Sequence, residues 1–190
     1  VALTFTNKAA EEMRARVDRL VPDCGVWVST FHRFSARLLR SYAPHVGLDP
    51  AFTIYDAGDS LRALKHVIET GNHDPHFFTP QQIAAEISRA KNNLIGPDQY
   101  EPRIGKPVTA AVAQFYEAYR KKLLDSAAVD FDDLLLHVAT LLCENPEIRQ
   151  VLDQRFRYIL IDEYQDTNLA QYAILRALSH DYPNLAATGD

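Results

Sequence analysis

The residues best placed to do chemistry are two adjacent acids, Asp162 and Glu163, that end the apolar run Tyr158-Ile159-Leu160-Ile161. A β-branched apolar run of this kind suits a strand buried in a parallel sheet. Carboxylates at the carboxyl end of such a strand point into the crevice where open α/β sheets bind ligands. There an Asp can hold Mg²⁺ through hard oxygen ligands, and a neighbouring Glu can orient or deprotonate a water that attacks phosphorus. Acids after a strand also serve as a solvated turn or as a favourable charge at a helix start. The pair alone does not separate these readings.

The surrounding pattern is that of an α/β domain interrupted by helices. Val1 to Phe5 reads as a strand leading into a helix capped by Thr6 or Asn7, with Ala10, Met13, Val17 and Leu20 on one face. Val26-Trp27-Val28 reads as a second strand, after which Thr30 caps a helix lined by Phe31, Phe34, Leu38 and Tyr42. Strands alternating with helices predict a parallel sheet. From about Gly47 there is helical periodicity and almost no strand signal. One helix carries Leu61, Leu64, Val67 and Ile68 and ends near Gly71; another starts at Thr79-Pro80 with Gln82 closing a capping box; a third runs from about Pro107. Further helices carry Leu134, Leu135 and Val138, then Ile148, Val151, Leu152 and Phe156, before the strand that ends in the acid pair. Thr167 or Asn168 caps one more helix, and a last apolar run begins at Leu185.

The chain has 190 residues, 47% hydrophobic and 24% charged, with a net charge of -5. That is ordinary globular composition, and it argues against gripping nucleic acid by bulk electrostatics, so any such contact must be local. Cys24 and Cys143 have no C-x-x-C spacing, which speaks against a disulfide framework or zinc site, and no apolar run approaches the ~20 residues of a membrane span. A cytoplasmic protein without membrane contact is expected. His73-Asp74-Pro75-His76 reads as a turn, not a metal site, and Gly105-Lys106 lacks the upstream glycine of a phosphate-binding loop.

The string Ile159 to Thr167 resembles the Walker B box, motif II, of UvrD/PcrA/Rep-type superfamily 1 DNA helicases, in which Asp-Glu-x-Gln-Asp is characteristic. Thr4-Phe5-Thr6-Asn7-Lys8-Ala9-Ala10 is similar to motif Ia, and Thr30-Phe31-His32 with Phe34 to motif Ib. Ser88 to Asn93 resembles a Lys-Asn element of the family's helical insert, and Asp130 to Leu135 resembles the return to the motor domain. The matches fall in the family's order along essentially the whole chain.

That resemblance implies a partial P-loop NTPase (RecA-like) parallel sheet with helices, interrupted by an all-α inserted subdomain. Residues 1–47 would begin motor domain 1A, 48–129 would form insert 1B, and 130–190 would return to 1A with motif II and the start of motif III. It implies ATP and Mg²⁺ as cofactors, with Asp162 on the metal, Glu163 as catalytic base, and Gln165 and Asp166 coupling the nucleotide to the DNA track. Phe5 would stack on a base of single-stranded DNA, with Thr6 and Asn7 near its backbone and Thr30, Phe31 and His32 along the same track. Lys91 and Asn92 would contact DNA near the duplex junction. A 3′ to 5′ polarity and repair or replication proteins as partners are further implications.

Position by position, simpler roles compete: Phe5 as core strand, Thr30 as N-cap, Phe31 and Phe34 as a helix face, Lys91 as a helix-end charge. No G-x-x-x-x-G-K-[ST] loop occurs in the chain, whose start and finish read as cuts through a longer protein. The fragment alone is expected to be inactive. Two other functions fit the same residues, the helicase part of a helicase-nuclease and a non-enzymatic DNA-binding or docking module built on the helical insert.

Overall fold

The computed structural model describes residues 1–71 and 78–190; the turn expected at His73 to His76 lies outside them. In chain order the elements are β1 (Ala2–Thr4), α1 (Asn7–Leu20), β2 (Val28–Thr30), α2 (Phe31–Tyr42), β3 (Thr53–Ile54), α3 (Ala57–Thr70) and α4 (Pro80–Asn92). They continue with α5 (Val108–Asp125), β4 (Ala128–Val129), α6 (Phe131–Glu144), α7 (Pro146–Arg155), β5 (Ile159–Ile161), α8 (Leu169–Leu178) and β6 (Leu185–Ala187). They fold as two compact units, one made of Val1–Ser41 and His137–Asp190, the other of Tyr42–Leu136.

The first unit is built on a four-stranded sheet in the order β2-β1-β5-β6, with every neighbouring pair parallel. Thr4 lies opposite Thr30, Leu3 opposite Ile161, and Ile161 opposite Ala187, so the carboxyl ends of all four strands are aligned. The Thr6 hydroxyl accepts from the Ala9 amide and starts α1, whose Ala10, Met13 and Val17 cluster with Ala2 and Val28. Helix α2 buries Phe31, Phe34, Leu38 and Leu39. Burying each such side chain contributes roughly 1.5–3 kcal/mol. Trp27, Phe34 and Phe156 join them in a ring cluster, with centroids 4.9 Å apart for Trp27 and Phe34 and 5.4 Å for Phe34 and Phe156.

Three expectations shift here. The second strand starts at Val28 and runs to Thr30, because register with Ala2 to Thr4 sets its limits and Val26 is exposed. In β5, Ile159 and Ile161 are buried while Leu160 is 52% exposed, so only one of its faces is covered. Val151, expected on the inner face of α7, also points to solvent.

The second unit packs α3, α4 and α5 around Leu64, Ile83, Val112, Phe115 and Tyr116. Thr79 and Gln82 form the expected capping box with Pro80 in the first turn of α4, and the Asp56 side chain caps α3. The unit also holds a short parallel ribbon, β3 beside β4, for which the sequence has no signal. Among the described residues no helix is long and apolar enough to cross a membrane.

Candidate functional site

The aligned strand ends of the first unit carry the candidate residues. Leaving β5, the Asp162 amide donates to the Leu3 carbonyl at 3.1 Å, which continues the ladder with β1 one step past the strand. Thr188, just beyond β6, donates from its amide to the Ile161 carbonyl at 2.8 Å and from its hydroxyl to Asp162 Oδ1 at 3.0 Å. Asp162 is therefore half-buried and oriented from the neighbouring strand end. Glu163 is exposed and takes a left-handed conformation, φ 56° and ψ 45°. A non-glycine residue held there is strained, and such strain concentrates at functional sites. The chain reverses direction between the two acids, leaving Asp162 held by Thr188 and Glu163 exposed.

Gln165 lies in the turn Tyr164–Asp166 that follows, and its Nε2 donates to Glu163 Oε2 at 2.5 Å. The Tyr164 amide donates to the Thr188 carbonyl at 2.9 Å and ties this turn to the end of β6. At the next position, Gly189 lets Gln165 approach closely: a Cβ there would sit 2.2 Å from Gln165 Oε1 and would have to push that side chain aside. The roles of Thr188 and Gly189 depend on a strand neighbour 27 residues away in sequence, so no local pattern around Asp162 reveals them.

On the other side, Phe5 follows β1 and is half-buried, its ring 5.5 Å from that of Phe31. Thr6 and Asn7 are exposed at the start of α1, and His32 is half-buried in the first turn of α2. Thr30 and Phe31 are not surface groups. Thr30 is buried, with its hydroxyl accepting from the Arg33 amide at 3.3 Å, and Phe31 is 1% exposed. Both side chains lie beneath the edge.

Lys91 and Asn92 lie in the second unit, where both engage acids near the start of α6. The Lys91 side chain is 2% exposed, and its Nζ lies 2.6 Å from both Asp130 Oδ2 and Asp133 Oδ1. Tyr119 donates its hydroxyl to the same Asp130 oxygen at 3.0 Å, and Asn92 Nδ2 donates to Asp132 Oδ1 at 2.8 Å. An ammonium enclosed by two carboxylates has no charge left to offer a phosphate. The sequence did hold a signal for this burial, because Ile83, Ile87 and Lys91 recur every four residues on the buried stripe of α4.

Mg²⁺ binds through one or two carboxylates, with water and phosphate oxygens completing its shell. Asp162 and Glu163 fit that donor set, and no cluster of three or more metal-ligating side chains competes with them among the described residues. The buried Thr4 hydroxyl, at the end of β1, makes no hydrogen bond and adds an unused polar group to the same edge.

A parallel sheet with acids at an inner strand end and a helical unit inserted in the chain is the architecture of a RecA-like helicase domain. The chain belongs to the family of the UvrD/REP helicase N-terminal domain, whose family model matches residues 1–190. It is 39% identical over 192 residues to the ATP-dependent DNA helicase PcrA of Bacillus subtilis, and 38% identical to those of Staphylococcus epidermidis and Staphylococcus aureus. Each alignment covers 100% of this chain and 26% of the relative, so the chain spans about a quarter of the length of these curated relatives.

Proposed function

We propose that this chain is the acid-pair segment of an ATP-dependent DNA helicase motor, in which Asp162 holds Mg²⁺ and Glu163 removes the proton of the attacking water. The placement of Asp162 and Glu163 at the carboxyl end of an inner parallel strand, in a chain of this family, carries the reading. Bound Mg²⁺ and ATP would supply a γ-phosphate with its charge partly neutralised. The chain's own groups do the remainder. Thr188 fixes one oxygen of Asp162, and Gln165 engages Oε2 of Glu163 so that Oε1 is the oxygen that receives the proton. Phe5, Thr6, Asn7 and His32 lie at neighbouring strand ends of the same edge and provide an aromatic face and small polar groups for single-stranded DNA. Translocation in the 3′ to 5′ direction, and work alongside repair or replication proteins, follow from the family resemblance.

The 190 residues contain no G-x-x-x-x-G-K-[ST] loop and span about a quarter of the relatives' length, so this reading assigns the phosphate grip to a part of the motor outside these residues. The purified 190-residue chain is accordingly expected to show neither ATP turnover nor unwinding. Mg²⁺-dependent turnover by this chain that disappears in Glu163→Gln would overturn that assignment.

A further inference from the structure

A cavity of about 440 Å³ opens within the helical unit, beside residues that directly follow the parallel strands β3 and β4. Its size falls in the ~300–1,000 Å³ range of small-ligand sites. Tyr55, Leu64 and Ile87 give it apolar walls, while Asp56, Asp130 and Asp132 bring three carboxylates, and no Lys, Arg or His among the described residues lines it. Asp130 is committed to Lys91. Asp56 engages Oδ1 with the Asp59 amide at 2.8 Å, and Asp132 engages Oδ1 with Asn92 at 2.8 Å, so Oδ2 of each remains able to accept from a ligand. The amino ends of α3 and α6 each contribute roughly half a positive charge. The two carboxylates without a cationic partner, Asp56 and Asp132, outweigh them, and an anion, a DNA phosphate included, is repelled.

We propose that this cavity binds an organic cation carried on an apolar stem, a chemistry shared by free alkylguanidines and by an arginine side chain of another polypeptide. The stem lies against Tyr55, Leu64 and Ile87, and the cationic head donates to Asp56 and Asp132 at the cavity mouth. Charge-assisted hydrogen bonds of this kind are about twice as strong as neutral ones. The site is independent of the acid pair in the first unit and adds a recognition surface of the opposite sign to a nucleic-acid track.

The test is a titration of the ¹⁵N-labelled 190-residue chain with butylguanidinium and with its neutral isostere butylurea, followed by amide chemical shifts. Saturable shifts at Tyr55, Ala57, Ile87 and Tyr119 are expected, with butylurea binding about tenfold more weakly. The double variant Asp56→Asn/Asp132→Asn keeps the α3 cap and an acceptor for Asn92, and should lose about tenfold in affinity for butylguanidinium. Ala84→Phe, which fills the cavity, should abolish the shifts. Equal binding of butylurea, unchanged binding by either variant, or no saturable shift would overturn the proposal. The peptide N-acetyl-Leu-Arg-Leu-amide separates the two sources: tighter binding than butylguanidinium supports a polypeptide anchor, and weaker binding supports a free cation.

Discussion

Nζ of Lys91 lies 2.6 Å from Oδ2 of Asp130, in a place where the lysine side chain is 2% exposed. With Asp133 at the same distance, this pair joins α4 to the first turn of α6 through groups 39 and 42 residues apart. Removing one member leaves an uncompensated buried charge, so Lys91→Met should destabilise the chain by about 3–5 kcal/mol in urea unfolding. DNA affinity of the protein that remains folded should be unchanged. A Lys91→Met protein of native stability that binds DNA poorly would restore the DNA-contact reading.

The same cluster makes stability depend on pH. Burial pushes the Asp133 carboxyl up to about 6, against the pull of Lys91, from an ordinary value of 3.8. Burial works against ionised Asp130 as well, but the charge and hydrogen bond of Lys91 hold its carboxyl below the usual range. For Lys91, burial favours the neutral amine, and Asp133 and Asp130 overcome it to hold the ammonium above its ordinary range. The folded state thus binds the Asp133 proton more tightly than the unfolded state. That contribution is complete below about 3.8 and is lost as pH rises through about 6. Wild-type stability relative to Asp133→Asn should therefore fall between about pH 4 and pH 7 in paired urea titrations. A flat or rising difference would contradict this.

Gly189 and Gln165 meet so closely that a methyl group at Gly189 must displace the glutamine. In a longer polypeptide that also carries a phosphate loop, Gly189→Ala and Gln165→Ala should both lower ATP turnover. Misplacement of about 1 Å can cost up to about 10²-fold. Both variants should keep wild-type thermal stability within a few degrees. Full activity in Gly189→Ala would show that Gln165 does not act by holding Glu163.

Phe5 and Phe31 touch, yet their substitution should have different consequences. Phe5→Ala should weaken binding of a single-stranded oligonucleotide by about 1–3 kcal/mol, measured by fluorescence anisotropy, with a small effect on folding. Phe31→Ala should cost roughly 3–5 kcal/mol of stability, because its ring is fully buried. Unaltered DNA binding in Phe5→Ala would assign Phe5 to the core.

Local signals in the sequence were reliable where the physics is local. The capping box Thr79–Gln82 and the end of α3 at Gly71 formed as read, and of the two caps offered at each of two other helix starts, Thr6 and Asn168 are the ones used, Asn168 with a Gln171 capping box not anticipated from the sequence. What depends on a distant partner was not legible. The limits of β2 are set by β1, and the exposure of Leu160 reflects what covers β5, not what the residue prefers. The ribbon of β3 and β4 is two residues per strand, too short for any periodicity. The spacing of Lys91 from Ile83 and Ile87 places it on the buried stripe of α4, but the carboxylates of Asp130 and Asp133 that enclose it come from far along the chain. At the acid pair, sequence located Asp162, Glu163 and Gln165, but the hydroxyl of Thr188 and the close approach of Gly189 emerged only with the neighbouring strand.

The most direct test of the acid pair is Glu163→Gln in a longer polypeptide that also carries a phosphate loop, with ATP turnover and ATP dissociation constant measured on the same preparation. Loss of a general base should lower turnover by about 10²–10⁴-fold while ATP affinity stays within about threefold of wild type. Turnover that is unchanged, or ATP binding that is lost together with turnover, would contradict the assignment of Glu163 as the group that takes the proton.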